Sequence, residues 1–133
     1  MLVWDSSYSV KVTEIDDQHK IIIEFINDLE RAISEKDTSQ TITGILKGLF
    51  KYTVDHFAIE EQYFRRFNYA KTELHIHEHQ QLVKRVNQYV ADFEMSLEFD
   101  AEDFLNFLRD WLIDHIMSSD KEYIQCFTKN GLK

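Results

Sequence analysis

Apolar residues recur at helical spacing through most of the chain, in four stretches separated by short polar runs. Residues 34–40 and 68–71 form the first two interruptions. Asp100 opens the last stretch, where its carboxylate can cap the free amide groups of a first helical turn. The inward-facing stripes are, stretch by stretch, His19, Ile22, Ile23, Ile26, Leu29 and Ile33; Ile42, Ile45, Leu46, Leu49, Thr53, His56, Glu60, Phe64 and Phe67; His75, His79, Leu82, Val86, Tyr89, Val90, Phe93 and Leu97; and Phe104, Leu108, Trp111, Leu112, His115, Ile116 and Tyr123. This pattern predicts four amphipathic helices of about 20 residues each.

Four helices with short connections are typical of an up-and-down antiparallel bundle. A leader without helical periodicity precedes them, with Trp4 and Tyr8 as anchors. The chain has no proline and only three glycines, whereas a sheet protein needs more turn residues. We therefore predict an all-α fold in which residues 1–133 form a single domain. Gly44 and Gly48 lie one turn apart in the second helix, where a close approach between helices explains them better than a ligand path.

The formal charge of −9 at pH 7 argues against a general nucleic-acid-binding protein and against adsorption to anionic lipid. Cys126 is the only cysteine, so any metal must be held by histidine and carboxylate instead of a thiolate cage. Residues 1–10 do not resemble a signal peptide, and no apolar run approaches the length of a membrane span. We therefore expect a cytoplasmic protein.

The placement of histidine distinguishes this sequence from an ordinary soluble bundle. Five of the six histidines fall on the inward stripes, and every predicted helix contributes at least one. His56 and Glu60 are four residues apart, as are His75 and His79, so each pair projects from one face of its helix. His77 lies about 200° around the helix from its neighbours and points outward, and we predict that it is not a ligand.

The fourth helix carries a less regular pair, His115 and Asp120, which are five residues apart. Five residues correspond to a rotation of about 140° in an α-helix, so the spacing alone leaves Asp120 open. Burying several imidazoles beside carboxylates is costly unless a partner compensates them, and a metal is such a partner. Imidazole suits zinc, copper, iron and nickel alike. Seven ligands, however, are too many for one tetrahedral zinc and suit two six-coordinate ions that share carboxylates.

Four segments resemble the hemerythrin family, in particular single-domain bacterial hemerythrins. They are Ser9-Val10-Lys11-Val12 with Ile15-Asp16-Asp17-Gln18-His19-Lys20; His56-Phe57-Ala58-Ile59-Glu60-Glu61; His75-Ile76-His77-Glu78-His79; and Trp111-Leu112-Ile113-Asp114-His115-Ile116 with Asp120. The resemblance covers nearly the whole chain, and every ligand position of the family pattern is occupied in order. Two departures concern the turn before the third helix, where Asn68-Tyr69-Ala70 replaces a Gly-Tyr-Pro-like sequence, and position 77, where histidine replaces a frequent lysine.

The resemblance implies a non-haem di-iron centre with one open position for dioxygen. Its ligands are His75, His79 and His115 on one iron, His19 and His56 on the other, and Glu60 and Asp120 between the two, together with an oxo or hydroxo bridge. The resemblance also places Leu112 and Ile116 along an apolar pocket at the open position. Such a protein binds dioxygen reversibly and is not an enzyme.

Other functions remain open beside an oxygen carrier, store or scavenger. One is an oxygen or redox sensor that acts through a partner, and another is a di-iron enzyme that consumes dioxygen, peroxide or nitric oxide. Carboxylate-rich di-iron enzymes use Glu-x-x-His pairs on two helices, whereas this chain has His-x-x-x-Glu and His-x-x-x-His, which favours binding. We expect dioxygen as the partner of a monomer or small oligomer, without nucleic acid or membrane.

Overall fold

Four long helices make up most of the computed structural model, which describes residues 1–95 and 100–133. They are α1 (Thr13–Ser34), α2 (Ser39–Arg66), α3 (Thr72–Glu94) and α4 (Ala101–Asp114). Helix α1 packs against α2 and α4, and α2 packs against α3. The predicted all-α, up-and-down antiparallel bundle is confirmed. Leu97, which the sequence pattern assigns to the third stripe, lies outside the described residues.

Side-chain caps start two of the helices where the sequence changes from polar to periodic. The Thr38 hydroxyl accepts a hydrogen bond from the Thr41 amide at 3.2 Å. The Asp100 carboxylate accepts one from the Asp103 amide at 3.0 Å, as predicted for the start of the fourth helix. Each bond satisfies a backbone donor that has no partner within its own helix.

The turn between α2 and α3 keeps a regular shape without glycine. Asn68 has φ 52°, in the left-handed region, and directly follows Phe67, the C-cap residue of α2. The Tyr69 amide donates to the Phe64 carbonyl at 2.9 Å, and the Asn68 amide to the Arg65 carbonyl at 3.4 Å. These are the two bonds of a Schellman motif, in which asparagine is the commonest substitute for glycine. Asn68 thus supplies the conformation for which this turn would otherwise need glycine.

The sequence pattern predicted a fourth α-helix that reaches Tyr123, but in the structure α4 ends at Asp114. A π-helical segment, His115–Asp120, follows α4, and the short helix α5 (Ile124–Lys129) comes after it. The Ser118 hydroxyl donates to the Asp114 carbonyl at 2.5 Å, and such bonds to the preceding turn loosen the regular helical ladder. Apolar periodicity carries no information about this change of backbone hydrogen bonding, so the sequence predicted one continuous helix.

The leader is fastened to the bundle by hydrogen bonds at both of its ends. The Asn27 side chain accepts from the Leu2 amide at 3.0 Å and donates to the Leu2 carbonyl at 2.8 Å. Near α1, the Asp16 carboxylate accepts from the Val10 amide at 2.8 Å. Trp4 and Tyr8 lie half-buried against the core, in agreement with their predicted role as anchors. No helix in the two described ranges is long and apolar enough to cross a membrane.

The two glycines of α2 have different surroundings. A Cβ atom at Gly48 would lie 2.9 Å from Cε1 of Phe25, so glycine lets this ring of α1 rest directly on α2. Among the described residues, nothing lies within 4 Å of a Cβ at Gly44. The expected close approach between helices therefore explains Gly48 and does not explain Gly44.

Gly44→Ala is expected to raise the free energy of unfolding by about 1 kcal/mol, because glycine loses more backbone entropy than alanine in a helix. Gly48→Ala is the matched comparison, and it should gain less, since the Phe25 ring must move. Urea unfolding followed by circular dichroism measures both. A larger gain at Gly48 than at Gly44 would contradict this interpretation.

Candidate metal centre

All seven predicted ligands converge on one buried region inside the bundle. They are His19 from α1, His56 and Glu60 from α2, His75 and His79 from α3, and His115 and Asp120 from the π segment, and each is at most 5% exposed. His77 is exposed on α3 and points away from this cluster, as its position in the helix predicted. Every long helix or its continuation therefore contributes to one site.

Asp120 occupies the centre of the cluster and faces histidines on two sides. Its Oδ1 atom lies 3.0 Å from Nε2 of His75 and 2.9 Å from Nε2 of His115. Its Oδ2 atom lies 3.1 Å from Nε2 of His19. Each carboxylate oxygen thus lies next to a different group of histidines, which is the arrangement that a bridging carboxylate requires.

Glu60 is the second carboxylate between the histidine groups. Its Oε1 atom lies 3.1 Å from Nε2 of His56 and 3.4 Å from Nε2 of His79. Its Oε2 atom accepts a hydrogen bond from the buried Tyr123 hydroxyl at 2.5 Å. The apolar pattern predicted Tyr123 only as part of a buried stripe, because periodicity does not distinguish a core tyrosine from one that donates to a site carboxylate.

The π segment explains how Asp120 reaches the cluster. In an α-helix, Asp120 would lie about 140° around the axis from His115. Hydrogen bonds between residues five apart widen the turn, so that a residue five positions later returns to the same face. The resulting distance of 2.9 Å between His115 Nε2 and Asp120 Oδ1 answers the question that spacing alone left open.

The donor atoms form two groups that could each hold a cation. Within each group the atoms lie within 4.8 Å of one another. One group, here called the three-histidine position, consists of His75, His79, His115, Glu60 and Asp120; the other, the two-histidine position, consists of His19, His56 and Glu60. Asp120 also faces the two-histidine position, since its Oδ2 atom lies 3.1 Å from Nε2 of His19.

Three of the donor atoms lie at a spacing that one octahedral metal ion would accommodate. The three atoms His75 Nε2, His115 Nε2 and Asp120 Oδ1 form a triangle with sides of 3.1, 3.0 and 2.9 Å. Two donors bound at right angles with bonds of about 2.1 Å lie about 3.0 Å apart, whereas a tetrahedral ion would separate them by about 3.4 Å. This triangle therefore has the size of one octahedral face.

Several buried polar atoms of the cluster also lack hydrogen-bond partners among the described residues. They are Nε2 of His56 and His79, Oε1 of Glu60, and both carboxylate oxygens of Asp120. Unpartnered polar atoms are costly in a protein interior, and cations bound between them would remove that cost. The residues present thus fit a pair of metal ions.

Three of the histidines are held from outside by polar side chains that the sequence analysis did not assign. Each outer residue stands next to a ligand in the sequence and bonds to a ligand on the following helix. The contacts to Nδ1 are Gln18 to His56 at 2.5 Å, Glu61 to His79 at 2.9 Å, and Glu78 to His115 at 2.9 Å. Such partners fix the orientation of a ligating imidazole. Adjacency to a predicted ligand was the only available sequence signal for them.

The electrostatics of the metal-free cluster favour charged carboxylates. Burial disfavours the charged form of Asp120, but the charge of His115 and the close Nε2 atoms of His115, His19 and His75 hold the pKa of Asp120 well below its usual value. Burial also opposes the charged form of His79, yet the close carboxylates of Glu60 and Glu61 raise the pKa of His79 to about 9. Without metal, protons on His79 and His115, whose pKa values are both raised, balance the carboxylates, and a metal must displace these protons.

The metal-free protein is therefore expected to lose thermal stability as the pH rises from 6.5 through about 9. An unfolded histidine titrates near 6.5, so the stabilisation from a His79 pKa of about 9 is complete below 6.5 and is lost through 9. Melting curves in a chelator across this range measure the slope. His79→Gln should flatten it, whereas replacing the exposed His77 by alanine should not. A melting temperature that rises over this range would contradict the assignment.

An apolar cavity of about 30 Å³ adjoins the two-histidine position. This volume exceeds the roughly 10–15 Å³ that one water-sized molecule needs. Two histidines of the two-histidine position, His19 and His56, line the cavity, and one histidine of the three-histidine position, His115, also reaches it. The rest of the lining is mostly apolar and consists of Ile22, Ile26, Leu49, Phe50, Thr53, Phe57, Leu82, Val83, Val86, Leu108, Trp111 and Leu112. Of the two residues expected along a pocket, Leu112 lines this cavity, whereas Ile116 is fully buried elsewhere in the core.

Aromatic rings pack flat against two ligands of the three-histidine position. Phe57 stacks on His79 with ring centroids 3.7 Å apart and planes 4° apart. Trp111 stacks on His115 with centroids 4.4 Å apart. These contacts restrict rotation of the imidazoles and close this side of the site with apolar surface.

A four-helix bundle with histidines and carboxylates gathered between its helices defines a class of metal-binding proteins, and comparison with known proteins agrees with it. The sequence profile of the hemerythrin HHE cation binding domain matches residues 10–127. A bacteriohemerythrin from Pseudomonas aeruginosa is 32% identical over 123 residues, which cover 92% of this chain and 79% of that protein. A bacteriohemerythrin from Clostridium acetobutylicum is 27% identical over 128 residues, covering 93% and 99%.

Solved structures give the same result. The crystal structure of wild-type hemerythrin superposes with a TM-score of 0.89 at 31% sequence identity, covering 95% of this chain and 97% of that one. The chain therefore belongs to the hemerythrin family.

Proposed function

We propose that this protein binds dioxygen reversibly at a non-haem di-iron centre and acts as an oxygen carrier, store or scavenger without enzymatic turnover. In this proposal residues 1–133 act as one domain, and the seven clustered side chains are the iron ligands. The observation that carries it is the apolar cavity beside the two-histidine position, which has fewer ligands than its neighbour. A small uncharged molecule fits there.

In this proposal some side chains would hold the metal ions, and others would keep water away from the site. Glu60 and Asp120 each face histidines of both positions, so these two carboxylates would help to hold both ions. When bound, two ferrous ions would supply the electrons that dioxygen takes up, and the ions would regain those electrons when dioxygen leaves. Leu112 and the aliphatic residues around it exclude water, and with it the protons that would convert reversible binding into irreversible oxidation.

Tyr123 has a supporting part in this proposal. Its hydroxyl donates to Oε2 of Glu60, and burial, together with the nearby charges of Asp120 and Glu60, raises the pKa of Tyr123 well above its usual value. The phenol therefore stays protonated, and it orients the Glu60 carboxylate with Oε1 towards His56 and His79.

A reversible titration tests the proposed function. The metal-free protein is loaded with ferrous iron without oxygen, exposed to dioxygen and then returned to an oxygen-free atmosphere. A visible charge-transfer band that appears with oxygen and disappears on its removal supports reversible binding. Irreversible oxidation with continued oxygen consumption would instead indicate an enzyme and overturn the proposal.

Leu112→Asn is expected to accelerate autoxidation about tenfold, because an amide in the cavity offers hydrogen bonds to water and protons near the two-histidine position. Leu105→Asn is the matched control: Leu105 is also buried in α4 but does not line the cavity. Decay of the oxygen-dependent band measures both rates at a temperature where melting curves show folded protein. Equal rates in the two variants would contradict the role of the cavity.

A further inference from the structure

The outer partners of the ligating histidines differ between the two metal positions. His79 and His115, in the three-histidine position, each face a carboxylate at 2.9 Å, from Glu61 and Glu78 respectively. In the two-histidine position, His56 faces the neutral amide of Gln18 at 2.5 Å. Nδ1 of His19 is buried and has no hydrogen-bond partner among the described residues.

This difference changes the charge around each position without changing the ligands that the two positions share. Glu60 and Asp120 lie between both groups, so their charges act on both. Glu61 and Glu78 act on only one. A carboxylate that accepts the outer N–H of an imidazole increases the electron density on the nitrogen that binds metal, whereas an amide mainly fixes its orientation.

Both carboxylates reach solvent. Their side chains are 21% and 36% exposed, so water solvates the outer oxygens while the inner ones reach the imidazoles. The Ser119 hydroxyl also donates to Glu78 at 2.5 Å. Two negative charges thus flank the three-histidine position, and none of the outer contacts described for the two-histidine position carries a charge.

We infer that the two metal positions fill in order, with a divalent ion entering the three-histidine position first because Glu61 and Glu78 strengthen its ligands. This inference rests on the proposed di-iron centre and adds an order of loading to it. A chain with one ion then holds it at the position that contributes a single histidine, His115, to the cavity lining, while His19 and His56 are without metal. The two-histidine position, which contributes both of its histidines to the cavity lining, is the last to gain metal and the first to lose it.

Stepwise titration of the metal-free protein with Co²⁺ tests this order. Calorimetry and the visible absorption of cobalt are expected to resolve two steps, the first at least about tenfold tighter. Glu61→Gln and Glu78→Gln should each weaken binding at the three-histidine position by about 10- to 100-fold, so that the two steps move together or exchange their order, while the affinity of the two-histidine position is unchanged. Both residues reach solvent, so these variants are expected to fold, and melting curves check this. Glu73→Gln, an exposed carboxylate on α3, is the matched control.

Gln18→Glu provides a test in the opposite direction. A carboxylate at this position would face His56 as Glu61 faces His79, so the second step should become tighter and approach the first. Two equal steps in the wild-type protein, or a ratio of affinities that none of these variants changes, would overturn the order while leaving the di-iron proposal intact. A chain that binds fewer than two Co²⁺ ions would overturn both.

Discussion

Asp120→Asn is expected to reduce bound iron from two ions per chain to one at most. The two oxygens of Asp120 face His75 and His115 on one side and His19 on the other, so a single carboxylate serves both metal positions. Asparagine has a similar shape, but it offers one acceptor oxygen and no charge. We expect affinity at both positions to fall by more than about 100-fold, above the range typical for outer partners.

The iron-to-protein ratio after desalting measures this loss. Asp114→Asn is the matched control, since Asp114 is exposed and precedes the π segment on the same helix. His77→Ala is the second control, and it should retain both ions. Full iron content in Asp120→Asn would contradict the bridging role, and a loss of half the metal in His77→Ala would contradict its exclusion from the site.

Removal of iron should lower the melting temperature by more than about 10 °C. A ligand that binds only the folded state, at 100 to 1,000 times its dissociation constant, adds about 3–4 kcal/mol of stability per site. Two ions therefore contribute an amount comparable with the whole stability of many small domains. Metal removal also leaves both oxygens of Asp120, Oε1 of Glu60 and Nε2 of His79 buried without a hydrogen bond.

Calorimetry of the iron-loaded protein, the chelator-treated protein and the reloaded protein measures this effect. Recovery of the higher melting temperature on reloading separates metal binding from damage during chelation. A melting temperature that does not change on iron removal would contradict a metal-centred core.

Much of the fold was predictable because helical periodicity is a local property of the sequence. The predicted break at residues 34–40 contains the end of α1 and the start of α2, and the break at 68–71 separates α2 from α3. The capping role of Asp100 followed from its chemistry and position. Backbone geometry was less accessible: nothing in the apolar pattern indicates the left-handed Asn68 or the π segment.

The candidate metal centre was also predictable only in part. His56 with Glu60, and His75 with His79, were predicted to share a face because four residues make about one helical turn. The contacts of Gln18, Glu61 and Glu78 were not predictable, since each joins two different helices. Such contacts depend on how neighbouring helices are rotated about their axes, which the sequence of one helix does not specify.

The π segment has a consequence that extends beyond the residue it delivers to the site. Eight residues separate His115 from Tyr123, which in a regular helix is about 800°, or 80° past two full turns. If the wide turn absorbs one residue, the remaining seven give about 700°, close to two full turns. The one extra residue in the wide turn therefore rotates the following helix so that Tyr123, and after it Phe127, lie on the buried side. The metal cluster and the aromatic packing of the C-terminal segment depend on the same backbone irregularity, and neither can be displaced by one residue without the other.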